Sequence, residues 1–275
     1  MPEDVIGLIA GKSQFPILFA RAAKARGLKV VAVAIQGETL AELAEEVDEI
    51  TWVSLGQLGK LIKTFHKAGV RRAAMCGGVS KPRMFDIKPD LKALLLIKKL
   101  LHMADDGILR TLAGALAEEG IEIVASHELV PELLAAPGQY TRRGPTADER
   151  ADAELGWRLA AELGKLDIGQ ALVVKAKAVL AVEAMEGTDE CIRRGGGLAG
   201  GKDAVVVKRC KPTQDLRFDL PSVGEGTVAV MQRAGASCLV IEAGRTLVFD
   251  HDPMVRRAEA AGICIMAWSQ AGGDK

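Results

Sequence analysis

The sequence predicts an α/β protein in two domains, and three observations carry that reading. Short apolar runs alternate with stretches of helical period through the first half, the pattern of strands connected by helices that cover both faces of a parallel sheet. Aromatic residues make up only 4% of the chain while Ala, Gly, Val and Leu abound, which suits closely packed α/β layers better than an aromatic-rich sandwich. At 275 residues the chain is about as long as a single hydrophobic core grows. A stretch rich in Pro, Gly and charge, AAPGQYTRRGPTADER from Ala135, also interrupts the apolar period midway.

The elements follow in order. Val5 to Ala10 is an apolar run that meets Gly11-Lys12-Ser13-Gln14 and then a helical pattern through Arg26. Lys29 to Ile35, Glu49 to Val53, Arg71 to Cys76 and Ile121 to Ala125 read as further strands, with helical stretches at Glu38 to Glu46, Gln57 to Lys67, Pro89 to Met103 and Asp105 to Glu119. This is the alternation of a Rossmann-like parallel sheet, assigned to residues 1–135. Residues 136–165 read as linker and connecting helix, with Thr146 as its cap. Residues 166–275 read as a C-terminal α/β domain: a hairpin around Lys175-Ala176-Lys177, a helix after Gly187-Thr188, a strand over Asp203 to Val207 and a helix over Thr227 to Arg233. Strands at Ser237 to Ile241 and Thr246 to Phe249, a helix at Asp252 to Ala261 and a strand at Ile263 to Trp268 complete it.

Composition narrows the function classes. With 36 basic and 36 acidic residues the formal charge is zero, so no global signature of nucleic-acid binding is present. The cysteines at 76, 191, 210, 238 and 264 stand singly without a CxxC pair, which argues against a disulfide framework or a zinc site and for a reduced, cytoplasmic setting. The acidic start lacks the basic n-region and long apolar run of a signal peptide, and no apolar run reaches membrane-span length. The helix at residues 91–101 is apolar on one face and lysine-bearing elsewhere. It suits either ordinary packing or peripheral contact with an anionic membrane surface.

Candidate chemistry gathers where strands leave the sheets. Gly11-Lys12-Ser13-Gln14 and Gly77-Gly78 stand where phosphates meet helix N-termini, although GxxxxGK[ST] and GxGxxG are both missing and simple turn chemistry is the alternative. Gly187 and Thr188 offer amides and a hydroxyl to an anion, or Thr188 is a plain N-cap. The densest stretch runs from Val205 to Thr227 and holds Lys208, Arg209, Lys211, Asp215, Arg217 and Asp219. Cations there suit a phosphorylated ligand, and carboxylates four residues apart suit a hard divalent metal or an activated water; a solvated loop with surface ion pairs is the alternative. The histidines form no metal motif, and no GxSxG elbow is present. A non-catalytic binder of nucleotide sugars or phospholipids, and a nicotinamide enzyme, are the rival classes.

Six segments in order, GLIAGKSQFP, CGGVSKPR (76–83), ADDGILR (104–110), DIGQ (167–170), VEAMEGTDE (182–190) and KPTQDLRFDLPSVG (211–224), together resemble the LpxI-type UDP-2,3-diacylglucosamine pyrophosphatases of lipid A biosynthesis. The resemblance implies a two-domain, Mg²⁺-dependent enzyme that cleaves the pyrophosphate of UDP-2,3-diacylglucosamine into 2,3-diacylglucosamine 1-phosphate (lipid X) and UMP. It also implies that the lipid is held between the domains. On that basis Asp215 is expected as the essential carboxylate and Asp219 as its neighbour, with Glu183 as a third acidic candidate for Mg²⁺. Gly11, Lys12, Ser13, Gln14, Gly187, Thr188, Lys208, Lys211, Gln214 and Arg217 are the expected substrate-binding residues. A homodimer would be ordinary for such an enzyme.

Overall fold

The computed structural model describes residues 4–79, 89–94, 105–212 and 214–271. Expectations for Ser80-Lys81-Pro82 and for residues 95–104, which hold most of the basic amphipathic helix, lie outside the described residues. The chain divides into two compact units, one of residues 1–131 with 215–219, the other of residues 132–214 with 220–275.

In the first unit, strands β1 (Val5–Ala10), β2 (Lys29–Ile35), β3 (Glu49–Val53), β4 (Arg72–Cys76) and β5 (Glu122–Ile123) form a sheet of order β3-β2-β1-β4-β5. Every neighbouring pair in it is parallel. Helices α1 (Phe15–Ala25), α2 (Leu43–Glu46), α3 (Leu58–Lys67) and α4 (Asp105–Glu118) supply the connections. Such an order reverses direction between β1 and β4, and ligands of open parallel sheets sit beyond the carboxyl ends of strands at such a point. The expected helix over Glu38 to Glu46 shrinks to Leu43–Glu46. The Thr39 hydroxyl donates to Ala10 O and accepts from Ile35 N, tying the chain down as a turn, the usual way a short hydroxyl side chain competes with a helix.

The second unit holds β6 (Gly138–Gln139), β7 (Ala171–Lys175), β8 (Ala178–Val182), β9 (Ala204–Lys208), β11 (Ala236–Glu242) and β13 (Cys264–Trp268), ordered β6-β13-β11-β9-β7-β8. A short ribbon pairs β10 (Ser222–Val223) with β12 (Leu247–Val248). Because side chains alternate along a strand, Val205 and Val207 pack with Ala153, Trp157 and Ala160 of α5 (Ala147–Lys165). Val206 packs in the other cluster, which includes Ile192 of α6 (Thr188–Leu198), Met231 of α7 (Glu225–Ala234) and Met254 of α8 (His251–Ala260). Residues 136–165, read from sequence as linker and connecting helix, lie in this unit, β6 pairing with β13 and α5 covering one face.

Three local features match their sequence signals. Thr146 and Glu149 form a reciprocal capping box. The β7–β8 hairpin turns through Ala176 and Lys177, whose left-handed backbones donate hydrogen bonds from their amides to the Asp152 carboxylate. All five cysteines are buried thiols.

Glu149 is buried and accepts both arms of Arg143 at 2.6 and 2.7 Å, with Ser237 Oγ at 2.5 Å. Burial alone would raise its pKa, but the bonds from Arg143, Ser237 and Thr146 outweigh that and leave it at about 2. A depressed carboxylate contributes stability above its unfolded value and loses it as pH falls through the folded one. Glu149→Gln should therefore be less stable at neutral pH, and its denaturation midpoint should decline less than the parent's between about pH 4.5 and 2. Parallel decline of parent and variant in denaturant titrations would count against this network.

Candidate functional site

β9 reads AVVVK and is buried throughout, so alternation sends the lysine that ends it into the α6 face. Lys208 is 6% exposed, and a buried ammonium needs hydrogen-bond acceptors to offset lost hydration. Its Nζ donates to Ser222 O at 2.8 Å and to Thr188 Oγ1 at 3.1 Å. The Thr188 hydroxyl in turn donates a hydrogen bond to Glu183 Oε1 at 3.1 Å. Glu183 is buried, and its Oε2 has no hydrogen-bond partner among the described residues. Three residues proposed separately from sequence thus form one chain, Lys208 to Thr188 to Glu183.

The start of α6 explains the placement. Gly187 is the N-cap, at φ 86° and ψ 169°, a conformation that strains any residue with a Cβ. Thr188 is thereby the first helical residue rather than the cap. A cavity of about 360 Å³ opens here, lined by Glu186, Gly187, Thr188, Asp189, Lys208, Ser222 and Thr227. Thr227 belongs to the first turn of α7, where its hydroxyl accepts from Gly224 N at 3.3 Å. The N-terminal turns of two helices and a buried lysine therefore border one hollow, an arrangement that favours anionic oxygens. The Cys191 thiol nearby is pushed up to about 12, by burial first and then by Glu183, which leaves it inert as a nucleophile at neutral pH.

Beyond Lys208 the chain is clamped from below. Glu242, wholly buried at the end of β11, accepts from Cys210 N at 3.0 Å and stands 3.8 Å from Arg209 Nε and 3.7 Å from Arg245 Nη1. Arg209 also stacks over Trp157, 4.6 Å from the ring centroid, and donates to Trp157 O and Gln270 O. Gln214 is turned inward: its Oε1 accepts from the Cys210 thiol and from Lys211 N. Lys211 Nζ binds Asp167 Oδ1 at 2.5 Å. Glu242, Asp167, Ser222 and Thr227 were not singled out from sequence. For Glu242 a signal existed, a lone charge closing the apolar run ASCLVI.

Asp215 and Asp219 belong to the first unit. Arg217 grips Asp215 with both arms, Nε to Oδ1 at 3.0 Å and Nη2 to Oδ2 at 2.8 Å, and Arg110 Nε stands 3.9 Å away. The Arg217 hydrogen bond is the main reason the Asp215 carboxyl lies below the usual range. The backbone folds over it as a tight turn, with Phe218 N and Asp219 N both donating to Asp215 O. Phe218 packs on the first unit's core cluster, which includes Phe65, Leu116 and Ile123, and Arg217 lies 4.9 Å from its ring. Ordering a residue costs about 1–2 kcal/mol and an exposed ion pair returns about 0–1. Partial burial of the Phe218 ring against that cluster, where complete burial would be worth up to about 3 kcal/mol, adds an apolar contribution of a size that an exposed ion pair does not supply.

The expected Mg²⁺ ligands are thus divided, Glu183 in the second unit and Asp215 with Asp219 in the first. Among the described residues no three His, Cys, Asp or Glu side chains converge on a metal-sized site; the side chains of Asp105 and Asp106 lie outside that description. At the carboxyl ends of β1 and β4, Lys12 N donates to Gly78 O at 2.7 Å and Gly11 N to Cys76 O at 2.9 Å. A Cβ on Gly77 would meet Lys12 O at 2.2 Å, so only glycine permits this approach. Ser13 turns at φ 95° and its Oγ accepts from Phe15 N at 3.3 Å, just ahead of α1, whose N-cap is Gln14. Gly11 to Gln14 therefore occupy the crevice position of the first sheet, while Lys208 and Thr188 lie in the other unit.

Comparison with known proteins gives a consistent family. The LpxI N-terminal domain model matches residues 5–133 and the LpxI C-terminal domain model residues 136–266. A UDP-2,3-diacylglucosamine pyrophosphatase LpxI from Caulobacter vibrioides is 32% identical over 271 residues, 95% of this chain and 96% of that protein. Solved structures give weaker likenesses. Rhizobium etli pyruvate carboxylase aligns at TM-score 0.30 and 16% identity, over 63% of this chain and 15% of the carboxylase. The biotin carboxylase domain of Hydrogenobacter thermophilus 2-oxoglutarate carboxylase aligns at 0.26 and 15%, over 70% and 41%.

Glu242→Ala should destabilise the second unit by about 3 kcal/mol or more, because it strands two arginines that share a buried carboxylate. Chemical denaturation reads this directly, and a loss below about 1 kcal/mol would show the arginines to be adequately solvated without it.

Proposed function

The chain belongs to the LpxI family, and from that premise we propose that it hydrolyses the pyrophosphate bond of UDP-2,3-diacylglucosamine, yielding 2,3-diacylglucosamine 1-phosphate and UMP. The observation that carries this reading is the family match across nearly the whole chain, reinforced by a buried lysine and two helix N-termini around one hollow. Membership makes the chain a hydrolase of a lipid-linked UDP-sugar. Among the described residues no helix is long and apolar enough to cross a membrane.

Water adds across the P–O–P bridge, and both products leave as phosphate monoesters. Thr188, Lys208 and the amides that open α6 bind phosphate oxygens, and Lys211 and Arg217 are further candidate phosphate ligands. Asp215 orients the attacking water. Held ionised by Arg217, it is a weak proton acceptor, but a loose phosphoryl-transfer transition state asks for positioning more than for proton removal. Asp219, whose amide helps close the Asp215 turn, stands as the second carboxylate.

Asp215 and Asp219, which share one turn, would supply carboxylates to a Mg²⁺ ion, which is usually held by one or two carboxylates together with substrate phosphates and water. Glu183, in the second unit, is a separate acidic candidate and keeps one carboxylate oxygen without a hydrogen-bond partner among the described residues. When bound, the ion would neutralise charge on the pyrophosphate oxygens.

UMP release from UDP-2,3-diacylglucosamine, followed with Mg²⁺ and again with excess EDTA, tests the reading; release that persists unchanged in EDTA would remove the metal from it. Asp215→Ala should retain substrate binding and lose about 10²- to 10⁴-fold in kcat, and near-normal turnover would reassign the carboxylate. Lys211→Ala should weaken substrate binding, whereas an unchanged dissociation constant would confine Lys211 to its pairing with Asp167.

A further inference from the structure

We propose that Phe218 is a positioning residue: by docking its ring on the first unit's core it fastens the Asp215–Asp219 turn, and with it the Asp215 carboxylate, to that unit. The inference rests on the reading of Asp215 as the essential carboxylate.

Four observations carry it. After residue 131 the chain belongs to the second unit except for Asp215–Asp219, so something specific to five residues draws them to the first. Within those five, Phe218 is the aromatic residue, and it packs on the first unit's buried cluster. The turn is built around Asp215 itself: Phe218 N and Asp219 N donate to its carbonyl oxygen, and Arg217 N donates to its Oδ1 at 3.1 Å. Arg217, which holds the carboxylate from its side-chain end, lies against the Phe218 ring. Backbone, carboxylate and guanidinium are thus referred to one apolar contact. A further ion pair, Arg110 to Asp215, spans 3.9 Å with Arg110 about half exposed. It orients the carboxylate but holds weakly against solvent and salt.

Phe218→Ala and Phe218→Leu, made in the full chain beside Asp215→Asn, test this. Amide hydrogen exchange over residues 215–219 should accelerate about tenfold or more in Phe218→Ala, while protection in β1, β4 and β9 stays at the parent's level. With UDP-2,3-diacylglucosamine as substrate, kcat should fall at least tenfold and KM move less than twofold, and Phe218→Leu should recover most of both losses because an apolar side chain can refill the site. Unchanged exchange in Phe218→Ala, or accelerated exchange with unchanged kcat, overturns the proposal. If protection is lost throughout the first unit as well, Phe218 is a core residue and not an anchor, and the proposal fails. Full turnover in Asp215→Asn would instead overturn the reading on which it rests, and the exchange data would still decide whether Phe218 anchors the turn.

Discussion

The constraint on which the rest depends is the burial of one ammonium group. Lys208 closes a strand with almost no solvent exposure, and a cation so placed is stable only if its donors meet acceptors. Thr188 and the Ser222 carbonyl meet that need. The demand dictates that α6 begin where it does, that Gly187 take a left-handed turn, and that Glu183 lie beneath Thr188 to accept its hydrogen bond. The groups that satisfy the lysine thus also shape the hollow.

A second buried charge fixes the phase of the chain beyond it. Glu242 holds the Cys210 amide while two arginines neutralise it, so the strand cannot slip by one residue without moving Lys208 to the opposite face. A one-residue register change inverts every side chain of a strand. The cost of burying Glu242 is offset by this fixed phase, and the inward-facing Gln214 continues the bracket on the next turn. Gln214, expected as a substrate contact, uses its carbonyl oxygen inside the fold.

Much of this was legible in the sequence because it is local. The β–α alternation of the first half, the Lys175-Ala176-Lys177 turn and the Thr146 cap are set by period and by residues a few positions apart. The helix expected over Glu38 to Glu46 failed where a contact to Ala10, twenty-nine residues away, captured Thr39. Likewise QDLRFDL reads as a chemically loaded surface loop with no hint of where it packs, since a single phenylalanine among charges has no period. That it packs with residues before position 131 is a tertiary fact without a local signature. Glu242 was recognisable as an odd charge, but its partners Arg209 and Arg245 are joined to it only by sheet register and a turn.

Arg217 carries two expectations that compete for the same atoms, a clamp on phosphate and a partner for Asp215. Its guanidinium has five N–H donors in one plane, and the Asp215 carboxylate takes two of them head-on. A phosphate oxygen approaching the other edge would therefore add to the pair rather than displace it, and one cation would link carboxylate and substrate at a set distance. Lysine, a point charge on a flexible stem, could neutralise both but could not hold the angle between them. The depressed pKa of Asp215 follows from the same bond, so the pairing that fixes the carboxylate's orientation also keeps it ionised and a weak proton acceptor.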